Sequence, residues 1–131
     1  MMKKVISVLF LSSMETIIVA LVHDFVFNSL FPVEHPDVNW GISLEIASLE
    51  FIILSIILNA FLVFNSRVNP FWPIVAAIFV YALVWVDDLP DLPLRTMKLL
   101  VSSGLGFFSY YIFSGLLRIM GKRPARLKNL N

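Results

Sequence analysis

The stretch ISLEIASLEFIILSIILNAFLVF, residues 42–64, decides the fold class. Beyond Glu50 its only polar side chains are Ser55 and Asn59, and it contains neither proline nor glycine. A hydrocarbon core about 30 Å thick is crossed by about 20 helical residues at about 1.5 Å each, so the run has spanning length. In lipid it has to be helical, because nothing there satisfies exposed backbone amides, and the sequence lacks the strict alternation of a barrel strand.

Working outward, residues 5–28 and 96–120 form runs of similar length. A shorter one at 71–88, apolar from Phe71 to Val86, needs flanking residues or thinned lipid to cross. The expectation is an all-α integral membrane protein: one domain, a bundle of four transmembrane helices at 5–28, 42–64, 71–88 and 96–120, then a basic cytoplasmic tail at 121–131. The breaks are punctuated by Pro32, Pro36 and Asn39, by the short turn 65–70, and by Pro90 and Pro93. Pro70 and Pro73 fall before or within the first turn of the third helix, where a missing amide costs nothing. Ser43 and Asp91 or Thr96 are candidate N-caps.

Composition agrees. Of 131 residues, 59% are hydrophobic and 15% charged, with a mean hydropathy of +0.87. Soluble domains run near 45–50% apolar and about 25% charged, which excludes an ordinary soluble enzyme domain and a disordered chain. The absence of cysteine excludes disulfide frameworks and thiolate chemistry. A net charge of +1 gives no case for nucleic acid, and no cofactor motif is present.

The placement of charge is more informative than its sum. Lys3, Lys4, Arg67, Arg118, Lys122, Arg123, Arg126 and Lys128 fall on one side of the spans; only Arg95 and Lys98 fall on the other. Asp24, Glu34, Asp37, Glu45, Asp87, Asp88 and Asp91 crowd that second side. The positive-inside rule then puts both termini in the cytoplasm, in a plasma (inner) membrane. Trp40, Trp72 and Trp85 each mark a helix end, where indole rings prefer to sit. The MMKK start resembles a signal peptide, but Glu15 interrupts the apolar region and no Ala-x-Ala site follows, so the first helix is expected to stay.

Two carboxylates belong to neither rim. Glu15 lies about 15 Å into the first helix and Glu50 about 12 Å into the second, so the two reach similar depth. Charges at such depth cost at least about 2.5–3.5 kcal/mol and usually face a bundle interior or water. They point to a proton- or cation-responsive site, with Tyr110 as a partner for Glu15. The plainer reading is a pair of side chains hydrogen-bonding across packed helices. Ser12, Thr16 and His23 extend the polar side of the first helix. Asn59, nine residues from Glu50, points the opposite way and is expected on another side, against a partner chain or a second helix. Ser102 and Gly106 have the small-xxx-small spacing that lets helices approach closely. At the acidic rim His23, Asp24, His35, Asp87 and Asp88 are candidate metal ligands, although they fit no helix-borne motif.

Three functions follow. The first is a small accessory or regulatory membrane subunit acting through helix–helix contacts with itself or another membrane protein. The second is an oligomeric proton- or cation-coupled transporter or channel using Glu15 and Glu50. The third is a metal-assisted enzyme at the outer rim. In the first two the partners are lipid and a second copy or another membrane protein.

Overall fold

In a computed structural model of the chain, residues 1–30, 38–86 and 93–121 are described, the side chains of 26–28, 38–43 and 121 excepted. The elements are α1 (Met2–Leu21), a π-helical segment (Val22–Phe27), α2 (Asn28–Leu30), α3 (Val38–Phe64), α4 (Phe71–Trp85), α5 (Pro93–Phe108) and α6 (Tyr110–Gly121). No strand occurs among the described residues. Three helical segments are long and apolar enough to cross a membrane: Met2–Phe25, Leu44–Phe64 and Pro93–Met120. The fold is therefore all-helical and compatible with a membrane protein. α4 is also apolar, but its 15 residues reach only about 23 Å.

Several boundaries differ from the expectation. α5 begins at Pro93, where proline's fixed φ and missing amide suit the first helical turn. Thr96 and Ser43 therefore lie inside helices and do not cap them; Asp91 lies outside the described residues. Ahead of α4, Pro70 stands at the N-cap and Asn69 Oδ1 accepts the Phe71 amide at 3.1 Å. Within 93–120 the helix is interrupted at Ser109, whose amide is shared between the carbonyls of Leu105 and Gly106 at 3.0 and 3.1 Å. The hydroxyl of Ser109 also donates to Gly106 O at 2.6 Å, and the chain continues as α6.

The helices close into a ring. α1 packs on α3 and α5, and α4 packs on the other sides of α3 and α5, so α1 and α4 stand diagonally opposite. Across the other diagonal, Phe51 of α3 meets Phe107 of α5 with ring centroids 4.6 Å apart. Tyr81 of α4 stands edge-on to both rings. This aromatic layer is the centre of the core, with Leu11, Ile74 and Leu99 around it.

Polarity is distributed as in a membrane bundle. Ile6, Leu9, Ile57, Phe79, Leu83, Ile112 and Ile119 are exposed, whereas Glu15, Ser55, Asn59 and Ser102 have no exposed surface at all. Lys98 is also buried, although the sequence places it with the outer-rim charges. Lipid tails compete with apolar packing but not with hydrogen bonding, so polar side chains turn inward and apolar ones face out.

Gly106 fixes how closely α1 and α5 approach. A Cβ built there would fall on Val19 Cγ2, and would lie 2.9 Å from Phe51 Cζ and 3.3 Å from the Glu15 carbonyl oxygen. Only glycine fits between the two backbones. Gly104, half a turn away, would meet nothing within 4 Å.

Candidate functional site

The deepest polar cluster is built where α1 crosses α3. On α1, Ser12 and Glu15 are three residues apart; on α3, Ser55 and Asn59 are four apart. Both spacings place a pair on one helical face. All four side chains are buried, Glu15, Ser55 and Asn59 completely. Ser55 donates to Glu15 Oε2 at 2.5 Å and Asn59 Nδ2 donates to the same oxygen at 2.9 Å. Asn59 Nδ2 also lies 3.1 Å from Ser12 Oγ and 3.3 Å from Ser55 Oγ. Two acceptors, Glu15 Oε1 and Asn59 Oδ1, are buried without a hydrogen-bond partner among the described residues.

The two deep carboxylates are not brought together. Glu50 accepts the indole N–H of Trp85 at 3.1 Å, so it faces α4 and is only partly buried. Five positions separate it from Ser55, about 140° around the helix. Nor does Tyr110 bond to Glu15: among the described residues its ring packs edge-on against Tyr111, 6.1 Å away. Of the two alternatives for Asn59, a partner chain or a second helix, the structure has the second. The nine-residue separation does send Glu50 and Asn59 opposite ways, but it is Asn59 that faces α1. α3 is touched on both sides.

Ser102 and Gly106 both lie inside the chain. Ser102 donates to Lys98 O at 2.7 Å, and Gly106 seats α5 on α1. Of the rim residues, His23 and Asp24 sit in the π-helical segment, with His23 Nδ1 and Asp24 Oδ1 3.1 Å apart. His35, Asp87 and Asp88 lie outside the described residues. Among those described, no three His or acidic side chains gather as a metal site would require.

Sequence reasoning missed the true partners of both carboxylates. The signal for Glu15 was the i, i+4 pair Ser55/Asn59 set opposite the i, i+3 pair Ser12/Glu15. Trp85 was read as an interface anchor, and nothing in its neighbourhood marked it as a donor to Glu50.

Comparison with known proteins adds no constraint: no family model, curated protein or solved structure matches this chain.

Proposed function

We propose that this chain is a four-span protein of the plasma (inner) membrane, with both termini cytoplasmic. It serves as an accessory or regulatory subunit that binds a second copy or another membrane protein through helix–helix contacts. One observation carries the reading. The small residues of the last span divide into two sets: Ser102, Ser103, Gly106 and Ser109 are buried within the chain, whereas Gly104 and Gly115 face open space. Gly104 and Phe108 are four residues apart on α5, and Tyr111 and Gly115 four apart on α6, so each glycine shares a helical face with a ring. Across the break at Ser109, the exposed rings of Phe108 and Tyr111 stack with centroids 6.4 Å apart. Glycine notches flanking a ring pair let another helix approach closely in lipid.

Mass measurement after gentle extraction tests this. An assembly heavier than the 14.9 kDa monomer is expected, and Gly115→Leu should release the monomer. A wild-type protein that is monomeric and alone in mild detergent would overturn the proposal. Topology is read separately. The chain has no cysteine, so single cysteines can be introduced at Ser66 and Asp37. An impermeant maleimide added outside intact cells should label position 37 and spare position 66.

A second reading, proton- or cation-coupled transport in an oligomer through Glu15 and Glu50, is favoured by the two unpartnered acceptors, Glu15 Oε1 and Asn59 Oδ1. A proton or a small cation at either acceptor would satisfy it. Unchanged ion flux in Glu15→Gln would remove this reading.

A further inference from the structure

The Glu15 cluster sits between two unlike ends of the seam where α1 meets α3. One helical turn toward the π-helical segment, Ser12 is followed on the same face of α1 by Thr16, and on α3 Ser55 is preceded by Phe51. Thr16 and Phe51 both line a cavity of about 110 Å³ enclosed by α1, the π-helical segment, α3, α4 and α5. One turn the other way, Val8 and Leu11 lie on the cluster's face of α1 and Leu62 on that of α3. All three are buried and apolar. The carboxylate therefore has a space on one side and packed hydrocarbon on the other.

The space suits water. Three or four molecules fit at about 30 Å³ each, and polar lining is what makes a cavity wet. The hydroxyls of Thr16 and Ser48 give their hydrogens to Ser12 O and Leu44 O, both at 2.8 Å, and each oxygen keeps lone pairs for water or a cation. Asp24 stands at the mouth with its side chain 62% exposed, and Ser48, another lining residue, is exposed as well. A carboxylate there concentrates cations over anions. Along α1 the cavity runs from Asp24 to Thr16, about 12 Å, and ends beside Glu15 in sequence.

On α3 the Phe51 ring stands between this cavity and the cluster. It is buried and lies against Phe107 with centroids 4.6 Å apart. A Cβ on Gly106 would be 2.9 Å from Phe51 Cζ and 3.3 Å from the Glu15 carbonyl oxygen, so the ring reaches across to α1 at the level of Glu15. A second groove touches Ser12 and Thr16 from the outside of the bundle, but Leu9, Ile17 and Ile56 are exposed along it. That face meets lipid tails, where a charge is costly.

We propose that Glu15 takes its proton or small cation from the Asp24 end of the bundle, through this cavity, and that the Phe51 ring is the barrier on the way. The route rests on the proton- or cation-coupled reading of Glu15 and adds to it a side of entry and a barrier residue.

The test uses the whole protein in mild detergent, where both ends of the bundle face one solution. The chain has no cysteine, so single cysteines at Val19, Ser55 and Leu11 report the cavity, the cluster and the packed end. Two small thiosulfonate reagents are applied, 2-aminoethyl (cationic) and 2-sulfonatoethyl (anionic), each rate divided by that with a free thiol. Val19→Cys should react about tenfold faster with the cation, and Asp24→Asn should remove most of that preference. Ser55→Cys and Leu11→Cys should both be slow. Phe51→Ala leaves a cavity in place of the ring and should speed Ser55→Cys by about tenfold or more, while Leu11→Cys stays slow because the bundle is intact. If Phe51→Ala also exposes Leu11→Cys, the bundle has loosened, and the smaller truncation Phe51→Leu decides, with the same direction expected. An unreactive Val19→Cys, a preference for the anion, Leu11→Cys as fast as Val19→Cys in the native background, or Ser55→Cys unmoved by both Phe51 variants would overturn the route. These rates need no transport; ion flux in Glu15→Gln tests the underlying reading separately.

Discussion

Glu15 and Glu50 read alike in the sequence, as carboxylates at similar depth in neighbouring spans, yet the fold treats them differently. Glu15 is fully buried, and two donors from α3 converge on one of its oxygens. Glu50 keeps partial exposure and accepts one indole N–H from α4. The difference comes from α3, which presents opposite faces to α1 and α4. Depth along a helix is a one-dimensional property; what a side chain meets depends on the angle around the helix. The α1–α3 contact is organised around its polar residues, and the α3–α4 contact around the rings of Phe51 and Tyr81 with Glu50 at their edge.

The strongest way to break the comparison is to move the backbone that packs on Glu15. Gly106→Ala places a methyl on Val19 Cγ2 and within 3.3 Å of the Glu15 carbonyl. Valine is stiff at χ1 and the carbonyl belongs to a helix, so neither yields easily. A loss of about 3 kcal/mol in reversible unfolding in mixed micelles is expected, the upper part of the range for overpacking. Removing the obstacle in the double variant Gly106→Ala/Val19→Ala should recover part of that loss. Gly104→Ala on the same helix meets nothing within the chain, so in the dissociated monomer it should be neutral or slightly stabilising. Equal losses at positions 104 and 106 would mean that α5 does not sit on α1 as described.

Next in size is Asn59→Leu. It removes the donor to Glu15 Oε2 and Ser12 Oγ and leaves the Glu15 carboxyl with Ser55 alone. Interhelical hydrogen bonds in membranes average about 0.6 kcal/mol, and orphaned buried groups cost about 1–3 kcal/mol. Together these set an expected loss of about 2 kcal/mol, measured in the same assay. The coupling can be isolated by a double-mutant cycle of Asn59→Leu with Glu15→Gln, where a non-zero interaction energy is expected.

How much was legible follows from the same geometry. The helical class and the long apolar spans could be read because spanning length is a property of runs, and the run ending at Phe64 is unambiguous. The closeness at Gly106 was legible in the Ser102/Gly106 spacing. For Asn59 the nine-residue angle from Glu50 left a partner chain and a second helix both open, because an angle alone does not say which neighbour a face meets. Measured from Ser55, one helical turn away, Asn59 lands beside Glu15. The π-helical segment at Val22–Phe27 left no mark, since VHDFVF contains no glycine, proline or other breaker.

The smallest effect is the sharpest test of the contrast. Glu50→Gln keeps a carbonyl oxygen able to accept the Trp85 indole N–H, and the site stays partly open, so the lost charge is compensated by solvent or headgroups. A stability change within about 0.5 kcal/mol is expected, the range of surface substitutions that leave contacts in place. Trp85→Phe removes the donor and should cost about 0.6 kcal/mol through that bond, with any further loss coming from the smaller ring. If Glu50→Gln instead matches the cost of Asn59→Leu, the Glu50 charge itself is doing structural work at α4. The two carboxylates would then be equivalent in energy despite their different surroundings, and the angular argument would fail at the residue where it is most exposed to test.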